Sequence, residues 1–492
     1  MTMTPWAWQL ADVAKLRANN FTGLLNIDPG GTKTMISTLA IKESGASKVL
    51  ITAPKSTHEK AWRRTIEEVL GVEARVIGNG NKAAKQALFD FEMGYDGVFI
   101  STGQFMTRTD VSSWSGDMYI ADEIHQLSTM KSRGQRKLSG YVGSDGEPLA
   151  QRFGMRLALS GTPARQDLPN LWGILRFLWP ELRYRGEVAY DNAYQWMADR
   201  LAYEEVYTNQ IDERTGKHKT AKKWLGEKNP GQLLRDMPCV VTHFRRQRCC
   251  NWHPNGFLDL EEPQELEHFV ELVPAQKKAI RELEESMMTY LRDQALVTDI
   301  SLTQKQRVRQ ICLGVPEVKY YNDPKTNEEK TTIFFDEDCV SPFLDETLDI
   351  LSKLPKNEPV VIYLDSQVFA EVAVKRLNKA GIAAAEYSGK TSNARDEYMR
   401  DFGTKYQVLV MVSSAGATGT DGLQLISNTE IILETPVSLT VRTQAESRQD
   451  RLGAKKQVQR YRIIDSEGYA TGRLSEQLMK QIALNRSLRS VS

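Results

Sequence analysis

Short apolar runs alternate with amphipathic stretches over most of this chain. Gly23–Ile27, Lys48–Ala53, Gly97–Ser101, Met118–Ala121 and Arg156–Ser160 are too short for helices and rich in branched residues, so they predict strands buried on both faces. Segments between them, such as Glu59–Leu70, space their apolar residues as an amphipathic helix does. Strand and helix in alternation imply a parallel sheet covered by helices. The pattern returns after residue 340. Pro359–Leu364, Ile382–Glu386, Gln407–Val412 and Glu430–Leu433 predict strands, with helices over Ser366–Ala380 and Asn393–Phe402. The fold class expected is α/β, with two parallel-sheet units of similar size.

From about Pro180 to Asp338 the strand pattern fades. Glu187–Glu205 and Pro274–Leu296 have helical spacing, so a mainly helical middle region is expected. The boundaries that follow are 1–180, 181–338 and 339–492. Thr208–Lys228 is polar and basic, with Lys217, His218, Lys219, Lys222 and Lys223, and reads as a solvated loop or a nucleic-acid contact. Asn322–Lys330 reads as a turn-rich loop.

Composition narrows the partners. Lys and Arg number 64 against 63 Asp and Glu, so any polyanion must be met by a local basic surface and not by global charge. No apolar run is long enough to span a bilayer, and the first residues lack the apolar core of a secretory signal, so no membrane partner is expected. Five cysteines, few and odd in number, fit a reducing compartment and a cytoplasmic protein. Cys239, His243, Cys249, Cys250 and His253 cluster in sequence. An adjacent Cys-Cys pair is poor zinc-finger spacing and no CxxC occurs, so buried thiols are the expected reading.

Candidate chemistry begins where the first strand ends. Asp28-Pro29-Gly30-Gly31-Thr32-Lys33-Thr34 leads into a helix from Met35, which is the layout of a phosphate loop. Backbone N–H groups and the helix start face the phosphates, Lys33 reaches the β and γ oxygens, and the Thr34 hydroxyl ligates Mg²⁺. Thr32 stands where glycine is usual, and a β-branched side chain there restricts the wrap. Either Gly30 and Gly31 carry the turn or nucleotide affinity falls. Downstream, Met-Tyr-Ile-Ala ends in Asp122-Glu123-Ile-His125. Carboxylates at a strand end suit Mg²⁺ through Asp122 and orientation of an attacking water through Glu123.

With these strings in order, the chain resembles a superfamily-two helicase, and more closely the Swi/Snf double-stranded-DNA translocases. Ala53-Pro54-Lys55-Ser56 followed by Trp62, Ser160-Gly161-Thr162-Pro163 followed by Leu171-Trp172, and His243-Phe-Arg245-Arg246 resemble family motifs. So do Arg307-Val-Arg309-Gln310-Ile-Cys312, Tyr387-Ser388-Gly389 with Arg395 and Phe402, and Gln444-Ala445-Glu446-Ser-Arg448-Gln-Asp-Arg451-Leu-Gly453. Thr418-Gly419-Thr420-Asp421 is similar to a further motif, in a register that Gly422-Leu-Gln424 also fits.

The resemblance implies two RecA-like lobes with ATP and Mg²⁺ bound between them, and a Swi/Snf-type helical insertion. It implies adenine recognition by Gln9, nucleotide contacts from Gly419 and Asp421, and coupling through His125, Ser160, Gly161, Thr162 and Gln444. Arg448 and Arg451, three apart on an expected helix, would face the γ-phosphate, Arg451 as the finger and Arg448 as a sensor. Lys55, Ser56, Thr102, Gly103, Ser366, Gly389 and Ser413 match positions that touch the DNA backbone without reading sequence. The activity implied is ATP-driven movement of a monomer along duplex or branched DNA, in recombination, repair or fork remodelling in a bacterial host or phage-infected cell. The rivals are a strand-separating DNA or RNA helicase and a nucleotide-dead DNA-binding module.

Overall fold

The computed structural model describes residues 4–129, 132–139, 148–164, 167–180, 183–184, 187–188, 193–211, 218–291, 294–298, 301–322, 329–416, 422–470, 482 and 487–489. Contacts divide the chain into two compact units, Met1–Asp259 with Leu478–Ser492, and Leu260–Gln477.

The first unit is built on β1 (Gly23–Ile27), β2 (Lys48–Thr52), β3 (Ala74–Val76), β4 (Gly97–Ser101), β5 (Gly116–Asp122) and β6 (Phe153–Ser160). Two hairpins follow, β7–β8 (Arg183–Tyr184 with Glu187–Val188) and β9–β10 (Leu201–Ile211 with His218–Glu227). Then β11 (Val240–His243) returns to the edge of the sheet, whose order is β11-β1-β6-β5-β2-β4-β3. Every pairing in it is parallel. Every residue of β1 and β2 is buried, as helices on both faces require.

The second unit starts with β12 (Gln264–Val270), then hairpins β13–β14 (Met288–Leu291 with Gln294–Val297) and β15–β16 (Glu317–Asn322 with Glu329–Phe334). β17 (Val360–Leu364), β18 (Ala384–Tyr387), β19 (Val408–Val412), β20 (Thr429–Ile432) and β21 (Gln459–Asp465) complete it. They form a second parallel sheet, ordered β12-β21-β20-β17-β19-β18. The α/β class and the two parallel sheets agree with the sequence reading.

The middle region does not. Among its described residues strand positions outnumber helical positions, and it is split between the units at residue 259. Of Glu187–Glu205 only Ala193–Arg200 is helical, and the helix starting at Pro274 stops at Ser286 before a hairpin. The basic stretch expected as a loop contributes strand β10. β11 and β12, both inside the expected insertion, are edge strands of the two sheets. Edge strands have one neighbour and shorter buried runs, so the alternation there is weak. Among the described residues, no helix is long and apolar enough to cross a membrane.

Ile362 sits fully buried in β17 with strands on both sides. Ile362→Ala should destabilise the second unit by about 2–5 kcal/mol. Hydrogen exchange in β17, β19 and β20 checks this, with protection lost there first.

Candidate nucleotide site

The parallel strands of the first sheet share a carboxyl-terminal edge, where α/β sheets hold ligands. β1 runs between β6 and β11, in registers that pair Asn26 with Ser160 and Ile27 with His243. Past Ile27 the chain turns through Gly30, whose φ of 88° suits glycine, into the helix Lys33–Ser44. Gly31 is required by packing. A Cβ there would lie 2.4 Å from Ile27 Cγ2 and 3.0 Å from the Phe257 ring. Thr32 takes φ 57°, ψ 32°, a left-handed conformation that is costly for a β-branched residue. The turn thus needs left-handed backbone at both Gly30 and Thr32. Gln9 stabilises it, since its Nε2 donates to Thr32 Oγ1 at 2.8 Å while its Oε1 accepts the Trp6 N–H at 2.9 Å. The amide expected to read adenine is engaged with the phosphate loop itself.

Asp28, at the base of the loop, is buried and fully used. Its carboxylate accepts the Arg245 N–H at 2.9 Å and the Arg489 guanidinium at 2.7 Å, and its own N–H donates to His243 O at 2.9 Å. Gly161 presses on the other side of the loop, where a Cβ would lie 2.9 Å from Pro29 Cδ and 3.0 Å from Ile27 O. Lys33 Nζ donates to Ile27 O at 2.8 Å.

Asp122 ends β5. The Trp62 indole N–H donates to its Oδ2 at 3.0 Å and the Glu123 N–H to its Oδ1 at 3.0 Å. Burial, then the Glu123 charge, push the Asp122 carboxyl up to about 6, while Trp62 and Lys33 pull it down. Glu123 is left-handed at φ 50°. Its Oε2 lies 3.2 Å from His125 Nδ1, which lies 2.9 Å from Ser160 Oγ, which accepts the Thr162 N–H at 3.0 Å. A polar line therefore runs from the end of β5 to the turn after β6. Thr34 lies in the first turn of the loop helix. Oxygen donors from Thr34 and Asp122 suit Mg²⁺, and a half-buried carboxylate whose ionisation is disfavoured gains from a cation beside it.

On the same sheet edge, exposed Lys55 and half-buried Ser56 follow β2, and Thr102 and Gly103 follow β4. Thr102 Oγ1 accepts the Phe105 N–H at 3.0 Å and caps the helix Gly103–Arg108.

In the second unit, Ser366 follows β17, Gly389 follows β18 and Ser413 follows β19. Glu434 accepts the N–H groups of Asp365 at 3.0 Å and Ser366 at 2.8 Å, and Arg309 pairs with it at 2.9 Å. Burial pushes the Glu434 carboxyl up to about 7, against the Arg309 charge. The buried Ser413 hydroxyl donates to Leu364 O at 3.0 Å, so its side chain faces its own sheet. Gly419 and Asp421 lie outside the described residues.

The helix expected to carry Arg448 and Arg451 ends at Glu446. Gln444 is buried in its last turn, and the Ser447 hydroxyl donates to the Gln444 carbonyl at 2.9 Å. Arg448 and Arg451 instead occupy successive turns, the second closed by Ala454 N–H to Arg451 O at 3.1 Å with Gly453 at φ 92°. Buried Gln449, between them, donates to Ser427 Oγ at 2.9 Å and Thr429 O at 3.1 Å and ties the loop to β20. Glu446 pairs with Arg442 at 3.0 Å and Arg462 at 3.2 Å, and Arg460 bonds Glu430 and Glu265 beneath.

Sequence reasoning missed Asp28, Arg489, Gln449 and the role of Trp62. Only Trp62 had a signal, as the one aromatic residue behind the Pro54-Lys55-Ser56 turn.

The candidate site thus pairs a strand–turn–helix loop after β1 with two carboxylates at the end of β5, two strands away on the same sheet edge. Residues 8–209 match the family model of the SNF2-related domain. The chromatin structure-remodeling complex protein SYD of Arabidopsis thaliana is 21% identical over 473 residues, which cover 91% of this chain and 12% of that protein. The chain thus spans a small part of the length of this curated relative. A solved structure, the Sulfolobus solfataricus SWI2/SNF2 ATPase core in complex with dsDNA, aligns with TM-score 0.38 and 15% identity over 100% of this chain and 98% of that one. Residues 8–209, all within the first unit, are thus similar to the SNF2-related domain.

Thr32 yields a direct test. Thr32→Gly removes both the left-handed strain and the Gln9 bond, and should be at least as stable as the parent. Thr32→Val keeps the strain and loses the bond, and should be less stable by about 1 kcal/mol. Urea unfolding of both variants measures the difference.

Proposed function

We propose that this chain hydrolyses ATP with Mg²⁺ and uses the cycle to move along duplex DNA. The observation that carries the proposal is the placement of Lys33, Asp122 and Glu123 on one sheet edge, with Glu123 joined to Ser160 through His125. Lys33 and the loop N–H groups from Gly30 to Thr34 bind the β- and γ-phosphates. Thr34 and Asp122 hold Mg²⁺, which when bound neutralises phosphate charge. Glu123 orients the attacking water and takes its proton, and His125 reports its state to the Ser160-Gly161-Thr162 turn that lies on the phosphate loop. Arg451 stabilises charge on the γ-phosphate and Arg448 senses it. Gly419 and Asp421 add nucleotide contacts, and Gln444 takes part in coupling.

For DNA, the supporting feature is a second set of turns on the same edge, after β2 and β4, away from the phosphate loop. Lys55, Ser56, Thr102 and Gly103 offer short polar groups and backbone N–H donors suited to phosphates. Ser366 and Gly389 serve in the second unit, and Ser413 through its backbone. The assignment of SYD to chromatin remodelling is in keeping with a DNA substrate. A monomer working in the cytoplasm is the setting we assign, which the free cysteines suit. Recombination, repair or fork remodelling is the process this activity would serve.

Glu123→Gln should still bind ATP but turn it over at least about 100-fold more slowly. Arg451→Ala should cost about three decades in rate. Phosphate release with nucleotide binding in parallel reads both. With ATP, the protein should displace the third strand of a triplex without separating a duplex. Unwinding without triplex displacement would establish the helicase reading instead. Because the Asp122 carboxyl is raised, its charge is lost as pH falls through about 6, and turnover should fall with it. Trp62→Phe removes a donor that favours the carboxylate, so the acid limb should move to higher pH, and more Mg²⁺ should move it back. A limb that ignores both changes would take Asp122 out of the metal role.

A further inference from the structure

The fold brings together three soft ligands that the nucleotide site does not use. His243 ends β11, and Cys249 and Cys250 turn back toward it. Cys249 Sγ is 3.9 Å and Cys250 Sγ 3.8 Å from His243 Nδ1, and the two sulfurs are 4.0 Å apart. In a tetrahedral zinc site, with Zn–S near 2.3 Å and Zn–N near 2.0 Å, these edges would be about 3.5 to 3.8 Å. A contraction of a few tenths of an ångström would close the set on one ion.

The other ring nitrogen supplies an independent observation. His243 Nε2 is 2.7 Å from Asp12 Oδ2. A carboxylate there fixes the tautomer, with the proton on Nε2 and the Nδ1 lone pair directed at the sulfurs, as in carboxylate–histidine–zinc arrangements. His253 lies next to them, its ring 5.1 Å from that of His243 and its Nε2 shut off from solvent without a hydrogen-bond partner. The cluster opens on a cavity of about 520 Å³ lined also by Asp12 and Trp252, which gives an ion a way in.

We propose that His243 Nδ1, Cys249 Sγ and Cys250 Sγ form a binding site for a thiophilic divalent cation of the zinc class, with Asp12 orienting the histidine. The two thiols release two protons as the ion binds, and the two thiolates balance its charge. His253 is the candidate for the fourth position, and the three-ligand site does not require it. The ion would brace two supports of the phosphate loop. Asp12 lies on the helix Ala7–Arg17 that carries Gln9, the residue bonded to Thr32. His243 gives its carbonyl to the Asp28 N–H, and its ring packs edge-on against Trp8 with centroids 4.8 Å apart. The inference rests on this local geometry and not on ATP hydrolysis.

The test uses the full chain, kept reduced, stripped with a chelator and titrated with Co²⁺. One Co²⁺ per chain should bind with tetrahedral ligand-field bands and a sulfur-to-cobalt charge-transfer band, and Zn²⁺ should displace it. Cys249→Ser with Cys250→Ser should abolish the charge-transfer band. Asp12→Asn should keep the band and weaken Zn²⁺ binding about 10- to 100-fold. Absence of stoichiometric binding by the reduced parent chain would overturn the proposal. So would an octahedral spectrum without the sulfur band, or a band that survives loss of both thiols.

Discussion

The parallel pairing of β1 with β6 on one side and β11 on the other is the constraint on which the first unit's chemistry depends. It delivers three turns to one place: the phosphate loop, the Ser160 turn and the His243 turn. Buried Asp28 locks that meeting point by holding the Arg245 amide and the Arg489 guanidinium with one carboxylate. Removing one partner of such a pair leaves a buried charge exposed to its full desolvation cost. The loop's shape is therefore specified from outside the loop, by residues more than two hundred positions away in sequence.

Thr32 is the local counterpart of that constraint. The loop needs a left-handed residue immediately before Lys33, and the chain supplies threonine where the absence of a Cβ would be cheapest. The side chain whose β-carbon causes the strain also carries the hydroxyl that Gln9 holds. Strain of this kind persists only where neighbouring structure over-determines it. A loop fixed from the helix Ala7–Arg17 keeps one shape despite the missing glycine, which is why that glycine's absence does not by itself argue for a nucleotide-dead module.

The central strands were legible because burial on both faces makes them continuous apolar runs, and β1 and β4 fall where the sequence places them. β21 was not, because it buries Arg460 and Arg462 against Glu265, Glu430 and Glu446 and so reads as a polar surface stretch. The positions of Lys33 after a glycine turn and of Asp122–Glu123 at a strand end were legible because both signals are local. Asp28 with Arg489, and Trp62 with Asp122, are pairings across the fold with no local spacing to betray them. The arginine turns were misread as helix because the pattern up to Glu446 is helical. What stops it is Gln449, whose side chain is satisfied only by Ser427 and Thr429 on another strand.

We propose that the loop after β1 and the Asp122–Glu123 pair form a working hydrolysis site that duplex DNA controls. Steady-state ATP turnover measured alone and with saturating duplex, single-stranded DNA or RNA tests it most directly. Basal turnover should be low, raised several-fold or more by duplex DNA and much less by the other two. Turnover that stays at background with saturating duplex DNA would contradict it and leave a nucleotide-dead DNA-binding module as the reading of this chain.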